Sequence, residues 1–250
     1  MIIRFPQLSG AFAPILIATV CQATAFSLET YTAGHADIAV YNSGTDLLLR
    51  YNFASTATVN GSPVGGTGRI ADPALIETIV PESSTIEVPD VGAYSEYWRG
   101  RTSWYLPPGN LPGVPDLGLG KQVSSGIFTG NEVTLYLDSI VSRPTGGEFM
   151  MISSAGSPVY MDTANPSSLN RIVIPGHDHY YWMFSEVGTY QFNFRAEAIV
   201  QATGLTSSTL STFTFTVVPE PSTWALAAVG TSAIGIVAYR GRRERIPPTA

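Results

Sequence analysis

The chain has 250 residues, 13 Lys+Arg against 19 Asp+Glu, a formal net charge of −6 and a single cysteine. That acidic balance argues against nucleic acid as a partner, and one cysteine allows no internal disulfide. What remains open is a globular body of ordinary size with targeting segments at its ends.

Residues 1–25 read as a signal peptide. Arg4 precedes an apolar stretch from Ala11 to Val20, and Ala23-Thr24-Ala25 supplies a small-residue cleavage site before Phe26. This predicts export through the Sec machinery and removal by signal peptidase. Val20 stands where a lipobox needs a small residue, so Cys21 is not expected to carry lipid, and cleavage leaves the mature chain without a thiol.

The body, residues 26–218, holds 17 Asp+Glu and 8 Lys+Arg, a balance of −9. Such acidity favours cations or serves solubility. Gly and Pro are spread throughout, and the apolar segments between them are short, alternating and rich in β-branched and aromatic residues, the pattern of strands. Strands are predicted at 36–41, 47–53, 132–140, 148–153, 180–185, 189–199 and 212–217. Asn60-Gly61 and Thr145-Gly146-Gly147 read as hairpin turns, and 61–115 as long loops with short strands. The predicted fold is all-β: an antiparallel, Ig-like β-sandwich.

Two segments of the body offer binding chemistry. His35 with Asp37, and His177 with His179, are each two residues apart on a strand, so each pair projects to one face. If the two strands lie side by side, three imidazoles and a carboxylate can surround one Zn²⁺ ion at ~2.0 to 2.2 Å. The competing reading has the histidines bonded to loops at strand starts and the aspartates solvated. Between the pairs lie Tyr94, Tyr97, Trp98, Trp104 and Tyr105, with Arg99 and Arg101 interleaved. Exposed Trp98 and Trp104 rings would stack on sugars of an exopolysaccharide; buried ones would simply pack the sheet. No Gly-x-Ser-x-Gly elbow, His-Glu-x-x-His, EF-hand loop or complete P-loop occurs, and the body is not expected to be an enzyme.

Near the end of the body, Tyr180, Trp182 and Phe184 share one strand face, while His177, His179, Tyr181 and Met183 share the other. Gly188-Thr189-Tyr190 is similar to a tyrosine corner. Phe213, Phe215 and Val217 alternate with threonines in the last strand. Beyond it come Pro219-Glu220-Pro221-Ser222-Thr223, an apolar run from Trp224 to Tyr239, and Arg240, Arg242, Arg243 and Arg245. Residues 224–239 are expected to cross the membrane as a single helix, with Trp224 and Tyr239 at the headgroups and the basic tail 240–245 in the cytoplasm.

Pro-Glu-Pro, apolar helix and arginine cluster, in that order over 219–250, resemble the PEP-CTERM sorting signal of Gram-negative bacteria. The resemblance implies an exosortase-type protease that cuts near Pro219-Glu220-Pro221 and releases the body to the surface or matrix, a logic shared with GPI signals. A permanent single-pass anchor is the alternative. The body itself resembles the choice-of-anchor M, or actinobacterial-type surface-anchored, domain. That resemblance rests on Gly176-His177-Asp178-His179-Tyr180-Tyr181-Trp182-Met183-Phe184 with Gly188-Thr189-Tyr190, on Gly34-His35-Ala36-Asp37-Ile38, on Trp104-Tyr105-Leu106-Pro107 with Leu117-Gly118, and on Val133-Thr134-Leu135 with Gly147-Glu148-Phe149. Members often carry a further His-x-His in the second strand, where this chain has Leu49-Arg50-Tyr51-Asn52-Phe53.

The two resemblances imply an inner-membrane-anchored precursor with its body in the periplasm, then a non-enzymatic attachment or interaction role at the cell surface or in the extracellular matrix. The alternative is a metal-binding surface component that works with a metal ABC transporter.

Overall fold

The computed structural model describes residues 27–92, 94–174 and 176–219. The expected signal peptide therefore lies outside the described residues, as do Glu220, Pro221, the apolar run 224–239 and Arg240, Arg242, Arg243 and Arg245. The described residues are all-β, with two short 3₁₀ turns at Pro73–Leu75 and Thr129–Asn131. No helix among them is long and apolar enough to cross a membrane.

The strands of the first half are β1 (Glu29–Ser43), β2 (Asp46–Phe53), β3 (Thr58–Val59), β4 (Ser62–Pro63), β5 (Arg69–Ala71), β6 (Ile76–Val80), β7 (Thr85–Glu87), β8 (Thr102–Leu106) and β9 (Pro115–Gln122). The second half adds β10 (Thr134–Ser142), β11 (Phe149–Ser153), β12 (Val159–Asp162), β13 (Arg171–Val173), β14 (His177–Phe184), β15 (Gly188–Ile199) and β16 (Thr206–Val217). They form one curled sheet in the order β12-β11-β14-β9-β1-β6-β16-β15-β10-β13, with the remaining strands paired along its sides.

Curling is visible in the core. Trp182 on β14 and Phe215 on β16 are four places apart in the strand order, yet their rings stack with centroids 5.9 Å apart. Phe184, Phe192, Phe194 and Phe213 complete this aromatic interior, each fully buried. Each such side chain contributes roughly 2 to 3 kcal/mol through removal from water. The alternation predicted for β14 holds: Tyr180, Trp182 and Phe184 enter the main core, while Met183 and Tyr181 pack in a smaller cluster with Val88, Trp98, Met150 and Ile152.

The pairing departs from the expectation in three ways. It is not wholly antiparallel, because β1 runs parallel to both β6 and β9, and β16 runs parallel to β6. The arrangement is compatible with a β-sandwich in the broad sense, but its strand order does not establish an Ig-like one. Asn60-Gly61 does close a hairpin, β3 to β4, with positive φ at both residues (52° and 72°). Thr145-Gly146-Gly147 does not, since β10 pairs with β13 and β15 while β11 pairs with β12 and β14, so this turn carries the chain from one part of the sheet to another. Finally, β9 was hidden: its Pro-Asp-Leu-Gly-Leu-Gly sequence has the punctuation of a loop, yet Pro115 to Gly120 are buried between β1 and β14.

Two local devices hold the frame. Tyr190 is buried and its hydroxyl donates to Glu186 O at 2.9 Å while accepting from Glu186 N at 3.0 Å, the bonding of a tyrosine corner. In β1, Glu29–Tyr31 pair with β6, whereas residues from Gly34 onward pair with β9. The chain changes partners at Gly34, whose φ is +76° and whose absent Cβ would lie 2.2 Å from Thr56 O. Gly34→Ala must adopt a left-handed conformation against that carbonyl, so it is expected to lower unfolding stability by about 2 kcal/mol or more in a denaturant titration. Unchanged stability would contradict this account of how β1 turns.

Candidate metal centre

The face of the sheet that carries His179, Tyr181 and Met183 continues across β9 to β1. Register places His35 opposite Asp116, Asp37 opposite Gly118, Gly118 opposite His179 and Gly120 opposite His177. The two histidine-bearing strands are thus not side by side, the condition on which the sequence-based expectation rested. β9 lies between them, which sets their backbones about 10 Å apart.

What closes that distance is the lack of side chains on β9. A Cβ at Gly118 would stand 2.3 Å from Asp37 Oδ1 and 3.0 Å from Asp178 O, and one at Gly120 would stand 3.2 Å from Asp37 Cβ. With hydrogen at both positions, the Asp37 carboxylate lies over β9 and meets the side chains of β14. His177 Nδ1 is 3.2 Å from Asp37 Oδ2, His35 Nε2 is 3.7 Å from the same oxygen, and His177 Nε2 is 3.1 Å from His179 Nε2. One ligand atom from each of His35, Asp37, His177 and His179 can be chosen so that all four lie within 4.8 Å of one another. Four ligands at ~2.0 to 2.2 Å from a shared tetrahedral centre stand about 3.3 to 3.6 Å apart, so side-chain rotation of roughly 1 Å completes the set.

Asp116, which the sequence reading passed over, forms the floor of the site. Its Oδ1 is 2.7 Å from His179 Nδ1, and its Oδ2 is 3.8 Å from His35 Nδ1. The first separation has hydrogen-bond length, but the ring N–H does not point straight along it, so charge and proximity hold the pair more than alignment does. Gly109 N donates to the same Oδ1 at 3.1 Å. Tyr31, buried beneath, places its hydroxyl 2.5 Å from Gly34 O and 3.3 Å from Asp116 O, tying the start of β9 to the turn of β1.

The electrostatics call for a cation. Asp37 and Asp116 are 4% and 6% exposed, and among the described residues their ion-pair partners are histidines, with no lysine or arginine beside either. Asp37 Oδ1 is buried with no hydrogen-bond partner. Buried carboxylates are costly unless paired, and the positive charge must come from protonated imidazole or from a bound ion. Burial works to raise the pKa of Asp116, but His179, the Gly109 amide and His35 outweigh it and the pKa is lowered. The contact with Asp116 raises His179 against the opposing effect of burial. His177 stands at the rim with its side chain 54% exposed, giving the site an opening to solvent.

The aromatic segment has a different fate. Trp98 is fully buried and its indole N–H donates to Asp162 Oδ1 at 2.9 Å, so it presents no face to a sugar. Trp104 is half-buried against the main core, Tyr94, Tyr97 and Tyr105 flank the smaller cluster, and Arg101 lies 4.2 Å over the Tyr97 ring. Pro219 is exposed, two residues beyond the end of β16.

A protein-family model described as the PEP-CTERM protein-sorting motif matches residues 217–243. No curated protein and no solved structure matches the chain. The resemblance of the body to the choice-of-anchor M domain gains no support from these comparisons. The sorting motif indicates an exosortase-targeted surface protein of Gram-negative bacteria, exported, anchored in the membrane and then delivered to the cell surface.

The shifts of His179 and Asp116 predict a pH window in the metal-free protein. His179, raised, contributes stability that is present below its unfolded pKa of about 6.5 and is lost as pH rises through the folded value. Asp116, lowered, contributes stability that is present above about 3.9 and is lost as pH falls through its folded value. The stability lost in Asp116→Asn, measured by denaturant titration across pH with a chelator present, is therefore expected to be largest between about pH 4 and pH 6.5. A loss that does not vary with pH would contradict the pairing.

Proposed function

We propose that this chain is an exported, non-enzymatic surface protein whose folded body holds one divalent transition-metal ion on His35, Asp37, His177 and His179. The observation that carries the reading is the convergence of these four side chains over Gly118 and Gly120, with a buried Asp37 oxygen left without a partner. Nitrogen and oxygen ligands in fours suit zinc. Four protein ligands close a tetrahedron and leave no position for an activated water, which favours a holding or structural role over catalysis. The sorting motif supports the location, and the body ends where that motif begins: Val217 is the last residue of β16, and Val218 N donates to Val80 O at 3.1 Å. Processing at Pro219-Glu220-Pro221 would then fall just outside the sheet and leave it intact.

Elemental analysis of the purified full chain after zinc loading and dialysis is expected to find about one zinc per chain, and His177→Ala with His179→Ala to find essentially none. Wild-type protein without bound zinc would refute the metal reading. For the location, replacing Pro219, Glu220 and Pro221 by alanine is expected to move the protein from the cell surface to the inner-membrane fraction. Unchanged surface display would refute processing at that site.

A further inference from the structure

Metal-binding histidines commonly donate their second ring nitrogen to a carboxylate, which fixes the tautomer and strengthens the ligand. Resting on the metal reading above, we infer that Asp116 is the positioning residue of the centre, a single buried carboxylate that holds both His35 and His179 by Nδ1 and so presents both Nε2 atoms to the ion. The placement follows from register. Asp116 lies directly across from His35 on the β1 side and diagonally across from His179 on the β14 side, two residues along β9 from Gly118, which His179 faces. Its two oxygens face the two rings, Oδ1 at 2.7 Å from His179 Nδ1 and Oδ2 at 3.8 Å from His35 Nδ1, the first at hydrogen-bond length but off line and the second at ion-pair distance, so both rings must turn slightly to bond it when the ion enters.

The residue is itself held at two points, its carboxylate by a loop amide and its backbone carbonyl by a buried tyrosine. Gly109 N fixes Oδ1, and the Tyr31 hydroxyl lies against the Asp116 carbonyl. A group fixed by a loop amide and a buried tyrosine keeps its position while the ion enters, which lowers the ordering cost of binding. The remaining ring nitrogens agree with this division. His35 Nε2 faces Asp37 Oδ2 at 3.7 Å, and His179 Nε2 faces His177 Nε2 at 3.1 Å, so the nitrogens away from Asp116 are the ones directed to the centre. His177 lacks contact with Asp116 and is the exposed member of the set, so the inner ligands are oriented by the fold and the outer one closes from solvent.

The test compares zinc affinity of the full chain and of Asp116→Asn by competition with a chromogenic chelator, and records the visible spectrum of the cobalt-substituted forms. Asp116→Asn is expected to bind zinc about 10- to 100-fold more weakly and to shift the cobalt ligand-field bands. Equal affinity with an unchanged cobalt spectrum would overturn the positioning role while leaving the metal centre standing. Wild-type protein that takes up no zinc would overturn both. Because the asparagine variant can fail to fold, long-range ¹H–¹⁵N correlation on zinc-loaded wild-type protein gives an independent reading. His35 and His179 are expected to carry hydrogen on Nδ1 and metal on Nε2, and metal on Nδ1 of either ring would overturn the inference.

Discussion

Asp37 reaches the histidines of β14 only because the strand between them has nothing but hydrogen at two positions. Gly118 and Gly120 sit on one face of β9, where a Cβ at Gly118 would overlap the Asp37 carboxylate and one at Gly120 would crowd it. Glycine in a strand ordinarily weakens it, having more backbone entropy to lose and no side chain to pack. Here β9 is compensated by its surroundings. It is paired along its whole length to β1 and over three residues to β14, and Leu117 and Leu119 point from its other face into the main core. The same alternation that buries two leucines therefore opens a lane two glycines wide, and the site is built in that lane.

The second constraint is charge. Asp37 and Asp116 are held out of water, and among the described residues their ion-pair partners are histidines. Two buried carboxylates so placed favour positive charge beside them, and in a medium less polarizable than water that preference is strengthened. The geometry and the electrostatics converge on one place between β1 and β14, the place the proposed ion would occupy. The aromatic segment that shared attention with the histidines in the sequence turns out to serve packing through Trp98, whose indole is spent on Asp162.

Much of this was legible in the sequence, for definite reasons. Strands such as β15 and β16 alternate large apolar and polar residues, and that period survives in the folded burial pattern of β15 and of the end of β16 apart from Thr214, which is buried between β6 and β15. The two histidine pairs were legible because a spacing of two fixes a shared face in any strand. What sequence alone could not supply was non-local. β9 carries proline and glycine, the residues that mark loops, and its identity as a strand comes from partners 80 or so positions earlier and 60 later, as the pairings of Leu117 with Ala36 and of Gly118 with His179 show. Asp116 was missed with it. The signal that could have found both is the period-two run Asp116, Gly118, Gly120, a face bearing one carboxylate and otherwise bare.

The central claim is that His35, Asp37, His177 and His179 bind one ion from the bare face of β9. X-ray absorption at the zinc edge of the loaded protein tests it most directly. The account predicts a first shell of about four nitrogen and oxygen ligands near 2.0 to 2.1 Å, with the outer-shell scattering of three imidazoles. A shell of six oxygens without imidazole scattering would contradict it.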